Sequence, residues 1–310
     1  MLSMAEYPST TEEFERRFSS EAACVEYLSR IRWPKGFVCV RCGGDKAWLT
    51  GRGLYRCGVC DTQTSVTAGT MFQGTRKGLL AWFRAIWNVT TRPEGASALE
   101  IQRLLGLGSY RTAWTWMHKL RRAMVPVEKN LLAGSVVVDQ AYLSGEKPQQ
   151  GAPLDPDRPL IFVAAQEIRG RIGRIVLSRV SERTAKSLQG MIRKNVALDA
   201  IVLTDDSSAY QGLRLYGYRH KPVQFGLSGV RMGPLPIVAR VIGQLHDWLV
   251  FTPHGAVRQS HLDYYLDEFT FRFNNKRLRS PGKLFLRLLT QAAGGDPIMG
   301  DEIVGGSADA

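Results

Sequence analysis

No apolar run in this 310-residue chain reaches the roughly 18 residues that a membrane-spanning helix needs, and the N-terminus has no signal-peptide core. A cytoplasmic protein is therefore expected. There is no Walker phosphate loop, no dinucleotide fingerprint and no internal repeat, so nucleotide-driven motors, dinucleotide enzymes and solenoids have no support. Acidic residues are in short supply: 28 Asp plus Glu stand against 41 Lys plus Arg, a net charge of +13 and a pI near 9.8. A surplus of that size favours polyanions, and with no terminal basic amphipathic helix, nucleic acid is a better partner than a membrane surface. Cysteine is scarce and odd in number, at 24, 39, 42, 57 and 60. That count speaks against a disulfide framework and for a reducing compartment.

Four of the cysteines form CVRC and CGVC, two C-x2-C pairs separated by fourteen residues. Thiolates at Cys39, Cys42, Cys57 and Cys60 suit a closed tetrahedral zinc site, with Gly43 and Gly58 expected to permit the turns around the metal. Cys24 is left over and reads as a small buried apolar residue. Upstream, Thr10 with Glu13 and Ser20 are expected to cap two helices, the second ending at Trp33-Pro34. Downstream, Leu80, Phe83 and Trp87 share a helical face and read as core.

The segment SALEIQRLLGLGSYRTAWTWMHKLRRAM reads as helix, turn, helix. Ser97 with Glu100 makes a capping box, Gly106 ends the first helix and Ser109 caps the second. Ala113, Met117, Leu120 and Met124 line its buried face. Six Lys or Arg against one acid between residues 101 and 129 make the opposite face cationic. This is the pattern of a helix-turn-helix, with Arg111, Thr112, Thr115, Lys119 and Arg122 as candidate DNA contacts and His118 as a surface or phosphate contact.

From Ser135 the texture changes to short β-branched runs: VVVDQAYL, LIFVAAQEI, GRIVLSRV and AIVLTDD. A helix over about 183–195 precedes the fourth, a fifth strand is expected near 218–225, and three helical segments follow. Two of these runs end in acid, at Asp139 and at Asp205-Asp206. Side by side, Asp139 and Asp205 would repel unless they shared Mg²⁺, the arrangement that activates oxygens in phosphodiester chemistry. The order of elements is that of an RNase-H-like fold.

Through YPSTTEEFERRF, the ribbon, GTMF, LLGLGSYRTAWTWMHKLRRAM, VVVDQAYLSG, LTDDSSAY and HGAVRQSHLDYYLDEFTFRFNNKR, the chain resembles bacterial insertion-sequence DDE transposases of the zinc-ribbon plus RNase-H-like (ISXO-like) type. The resemblance implies an α+β multidomain chain with these parts: an N-terminal helical segment (1–35), a zinc ribbon (36–66), a helical DNA-binding region (67–130), an RNase-H-like mixed α/β domain with C-terminal helices (135–293) and a disordered tail (294–310). It implies structural zinc, catalytic Mg or Mn, and cleavage and transfer of double-stranded transposon-end DNA into target DNA by a homo-oligomer assembled on that DNA. Asp139 and Asp205 match its first two catalytic carboxylates. Gln140 stands where the family commonly has glutamate, and Asp206 where it usually has glycine. The third group and a lysine are expected in the helix before HGAV, where Ala239, Gln244 and His246 stand. Gln244, Asp247 and Glu268 are the candidates for the third position, and His254 follows in the loop. Three rival readings remain: a catalytically impaired or domesticated DNA-binding relative, a zinc-ribbon transcription or scaffold protein with Asp139 and Asp205 far apart, and a structure-selective nuclease.

Overall fold

The computed structural model describes residues 7–127, 130–146, 155, 157–223, 235–251, 259–278, 280–297 and 303. Along the chain run α1 (Thr11–Arg17), α2 (Glu21–Arg32), β1 (Ala47–Leu49), β2 (Tyr55–Cys57), β3 (Gln63–Thr64), α3 (Leu79–Thr91), α4 (Ala98–Leu105) and α5 (Tyr110–Ala123). Then come β4 (Ser135–Tyr142), β5 (Leu160–Ile168), β6 (Arg171–Arg179), α6 (Ala185–Asn195), β7 (Ile201–Thr204), β8 (Arg219–Pro222), α7 (Pro236–Phe251), α8 (Leu262–Asn275) and α9 (Pro281–Gly294). Short 3-10 helices cover Ser208–Tyr216 and Gln259–His261. Two compact units result, Met1–Val127 with Leu278–Ala310, and Glu128–Arg277.

The first unit is organised around α3, whose Trp82, Phe83, Ala85, Ile86, Trp87 and Val89 are all buried. Phe14, Phe18, Phe83, Trp87 and Phe285 pack as one aromatic cluster, with ring centroids 4.8–5.7 Å apart. Phe285 belongs to α9, so the last helix completes the first unit's core. The expected domain end at 293 is corrected by this packing: the second unit stops at Arg277. The apolar face of α9 specifies that the helix is buried and says nothing about which core receives it. Most of the segment expected to be a disordered tail lies outside the described residues, although Ile303 is buried. Gly282 sits so close to the N-terminal segment that a Cβ there would lie 1.9 Å from the Pro8 carbonyl oxygen. Gly282→Ala is therefore expected to cost at least about 1–3 kcal/mol, as overpacking does. A thermal unfolding midpoint equal to wild type would refute this.

The local signals of the helix pair are all present. Ser97 and Glu100 form the reciprocal capping box, Gly106 adopts the left-handed conformation at φ 58°, and the Ser109 hydroxyl accepts from the Thr112 N–H. Ser20 caps α2, whose C-cap is Trp33. Thr10 accepts from Glu13 N–H as expected, while the Glu13 carboxylate takes the Ser9 N–H.

The second unit is a five-stranded sheet in the order β6-β5-β4-β7-β8. β4, β5 and β6 are antiparallel neighbours, and β7 and β8 continue parallel to β4, the RNase-H-like arrangement. Strand alternation sends Val136, Val138 and Tyr142 toward α6 and Tyr210. Val137 and Ala141 face the core made by α7 and α8. With both faces covered, β4 is buried almost throughout, as its valine run requires.

Candidate functional site

The four paired cysteines come together as one cluster, with all four Sγ atoms within 4.8 Å of one another. Cys39 and Cys60, and Cys42 and Cys57, are each 3.6 Å apart. Zinc–thiolate bonds of about 2.3 Å at tetrahedral angles need sulfur–sulfur edges of about 3.8 Å, so the donor set fits zinc. Each pair sits on the same turn: Gly43 N–H donates to Cys39 O, and Asp61 N–H donates to Cys57 O. The left-handed residue follows the second cysteine each time, Gly43 at φ 73° and Asp61 at φ 60°. This corrects the role expected for Gly58, which lacks a positive φ; a Cβ there would instead press on Lys46 Cβ at 3.3 Å. Asp61 holds its conformation with its carboxylate on the Arg56 guanidinium. Cys24 is fully buried, and burial pushes its thiol up to about 12, which leaves it inert.

The second cluster is the pair of aspartates. β4 and β7 are parallel neighbours with Ser135 opposite Ile201, Val136 opposite Val202 and Val137 opposite Leu203. Continued along both strands, this register brings Asp139 level with Asp205. A scaffold in which these two residues lie far apart is therefore not the observed one. Asp139 is 0% exposed and Asp205 8%. The Asp139 carboxylate is oriented by two backbone donors, Gln140 N–H to Oδ1 at 2.8 Å and Leu235 N–H to Oδ2 at 2.9 Å. Asp205 Oδ1 accepts from Ser207 N–H at 3.3 Å. Two carboxylates on neighbouring strands are the oxygen donors that a divalent cation takes, so the donor set fits such an ion.

The surroundings are buried and polar. Tyr210, fully buried in the 3-10 helix that follows Asp205, has its hydroxyl pushed well above the ordinary phenol range. Burial is the main cause, with the negative charges of Asp139 and Asp205 adding to it. Gln140 is buried beside it. His220 Nε2 is hydrogen-bonded with Thr204 Oγ1 at 2.8 Å, and the Thr204 hydroxyl lies in donor reach of the Asp205 carbonyl. Burial and then Arg214 push the His220 pKa down, which keeps the imidazole neutral. Tyr210 and the Leu235 amide were not singled out from the sequence. The only available signal was that Tyr210 closes the same short segment that Asp205 opens.

The third position is different. α7 starts at Asp139, since the Leu235 N–H bonds to that carboxylate. Its buried face is Val238, Val241, Ile242 and Leu245. Ala239, Gln244, His246 and Asp247 are exposed on the outer side. At 1.5 Å per residue, Gln244 lies about 13 Å and Asp247 about 18 Å along the axis from Leu235. His246 Nδ1 instead lies 3.6 Å from Asp247 Oδ1. Glu268 is buried on α8, where its Oε1 accepts from Arg272 Nε and Nη2 at 3.0 and 2.8 Å. Among the described residues, α7 therefore brings no carboxylate to the aspartate pair. His254 lies outside the described residues.

On α5, Arg111, Thr112 and Arg122 are exposed and Thr115 is half-buried. Lys119 is only 9% exposed, and His118 is fully buried against Trp114, ring centroids 4.1 Å apart. The expectation of a solvent-facing His118 and Lys119 is thus corrected. The C-terminal half of α5 is enclosed nearly all round, Trp116 stacking on Trp82 at 3.6 Å, so its cationic face is narrower than the residue pattern suggests.

Residues 19–63 match the family model of the transposase zinc-ribbon domain, and residues 131–274 match that of the ISXO2-like transposase domain. The chain is also similar to an uncharacterized protein in transposable element ISH50 of Halobacterium salinarum. The two are 23% identical over 304 residues, covering 90% of this chain and 98% of that relative. Among the described residues, no helix is long and apolar enough to cross a membrane.

Proposed function

The chain belongs to the insertion-sequence transposases that join a zinc ribbon to an ISXO2-like transposase domain, and from that premise we propose that it binds transposon-end DNA and cleaves and joins strands at Asp139 and Asp205. The observation that supports this reading is the parallel register of β4 and β7, which, continued two residues, brings two buried carboxylates level, Asp139 within β4 and Asp205 just past the end of β7. A magnesium or manganese ion held by them supplies Lewis-acid activation of the attacking oxygen and charge neutralisation at the leaving oxygen. The protein's own contribution is positional. The Gln140 and Leu235 amides fix both oxygens of Asp139, so the carboxylate is oriented before any substrate arrives. The sheet and the Tyr210 helix exclude bulk water from its inner side. Zinc on Cys39, Cys42, Cys57 and Cys60 is structural, since all four positions are protein sulfur and none is left for water. Arg111, Thr112, Thr115 and Arg122 of α5 are the proposed groove and phosphate contacts, with Lys119 excluded from direct contact unless its burial is relieved. The active form is proposed to be a homo-oligomer on double-stranded DNA.

A second reading has one observation in its favour. Asp247, the lone carboxylate of α7, faces outward about 18 Å along the helix from the pair. A chain with two ligands and no third would bind ends without cutting them. The deciding experiment incubates the full-length protein with the inverted-repeat DNA that flanks its gene, in Mg²⁺ and in Mn²⁺. Nicked or joined products support the transposase reading. Tight end binding with no product in either metal supports the binding-only relative, and absence of end binding sinks both.

A further inference from the structure

The basic surplus is not confined to the helix pair. β8 is an edge strand of the five-stranded sheet, and its burial alternates: Arg219 and Lys221 are exposed, His220 is buried between them. Two residues of strand separate the two cations by about 6.6 Å on one side of the edge. The 3-10 helix packs against this strand and α6, and adds Arg214, whose Nη2 donates to the His220 carbonyl at 3.4 Å. Arg193, at the end of α6, lies 4.6 Å from the centroid of the Tyr216 ring. Tyr216 is 45% exposed, and Leu215 beside it is 90% exposed. By strand alternation Arg219 and Lys221 take the sheet face of Leu203, while Arg193, Arg214 and Tyr216 belong to the elements packed on the other face, so four exposed cations flank this edge from both sides. Asp199, in the loop before β7, and Asp206 are also exposed.

The strip also has a direction. Pro222, at the end of β8, is opposite Thr204, the residue before Asp205. Charges along β8 thus lead toward the carboxylate end of the sheet. A single protruding leucine is too little apolar area for a membrane surface. Exposed cations on both sides of one rigid sheet edge match a phosphate backbone.

We propose that Arg193, Arg214, Tyr216, Arg219 and Lys221 form a second DNA-binding surface, on the catalytic unit, that holds duplex of any sequence alongside Asp139 and Asp205. This rests on the reading of the aspartate pair as a DNA-processing site. It assigns sequence-independent contact, of the kind target DNA needs, to this edge and leaves end recognition to α5.

The test uses the full-length protein and a labelled duplex that lacks the transposon ends, with affinity measured across a salt series. Each phosphate contact contributes about 0.9 to the slope of log affinity against log salt. The triple variant Arg193→Ala, Arg219→Ala, Lys221→Ala is expected to reduce that slope by about 2.7 and to weaken binding at 0.1 M salt by about two orders of magnitude. The charge-preserving variant Arg193→Lys, Arg219→Lys is expected to keep the wild-type slope, which separates charge from folding. An unchanged slope in the triple variant overturns the proposal. So does a triple variant that keeps its DNA slope and loses self-association by sedimentation, because the edge is then a protein interface. Wild-type protein that binds no duplex at all defeats the functional reading itself, a distinguishable failure.

Discussion

Asparagine at Asp205 is expected to reduce metal-dependent cleavage of end DNA by about three orders of magnitude while end binding stays within a few-fold of wild type. Removing a carboxylate from a two-aspartate metal centre forfeits several kcal/mol of charge stabilisation in the transition state, and about 4 kcal/mol corresponds to that factor. At Asp205 the carboxylate Oδ1 accepts from Ser207 N–H. Asparagine keeps an oxygen for that bond. Asp139→Asn is expected to lose activity as completely but to cost stability as well. Both Asp139 oxygens accept from backbone amides, Gln140 N–H and Leu235 N–H, and the asparagine NH2 would oppose one of those donors. A donor facing a buried donor costs about 1–3 kcal/mol. Thermal unfolding beside the cleavage assay separates the two effects. Cleavage at wild-type rates by either variant would sink the assignment.

The same pair shows what was legible in the chain and what was not. A carboxylate behind three valines, repeated after Ile201-Val202-Leu203, pointed to two buried strands ending in acid; β7 does stop before Asp205, whereas β4 runs on through Asp139 to Tyr142. Period-two burial and the capping residues are local facts, and Ser97, Glu100, Gly106 and Ser109 do what their positions suggest. Long-range facts were out of reach. Nothing in PGKLFLRLLTQAA says whether α9 joins the sheet or the aromatic cluster around Phe14, because an apolar helical face fits either core. The enclosure of His118 and Lys119 has the same origin: a cationic face read from α5 alone takes no account of what packs around its second half. The residues that tune the aspartates, Tyr210 and the Leu235 amide, act through a hydroxyl and a backbone N–H whose neighbours are set by tertiary packing. For α7 the sequence sufficed to find the helix. Only its buried face, Val238, Val241, Ile242 and Leu245, reveals that Gln244 and Asp247 turn outward.

Chelation of zinc is expected to unravel the ribbon and leave the five-stranded sheet intact. Besides the cysteine cluster the ribbon is held by a small aromatic contact, Trp33, Phe37 and Tyr55 with centroids 4.8–5.7 Å apart, and by Arg32 donating to the Ser65 and Val66 carbonyls. Its strands are two or three residues long, and Val38, Val40, Trp48, Leu49 and Val59 are all exposed. Isolated strands of that length are not stable in water. A structural zinc bound by four thiolates contributes on the order of 10–16 kcal/mol, far more than the apolar contacts of so small a sheet. The second unit has its own two-sided core, from Val136 and Phe162 on one face to Val163 and Leu266 on the other, and needs no metal to fold. Hydrogen exchange reads the difference directly. Cys57 N–H, bonded to Thr62 O, and Gly58 N–H, bonded to Lys46 O, are expected to lose protection on chelation, while the β4–β5 amides keep theirs. Cys42→Ser is expected to do the same without chelator and to abolish the one equivalent of zinc released by denaturing the wild type. Cys24→Ala is the control: its side chain is buried away from the cluster, so zinc content is expected to stay at one. A wild-type protein that releases no zinc, or a ribbon whose amides stay protected after chelation, would remove the metal from this account and leave four close thiols to be explained by packing alone.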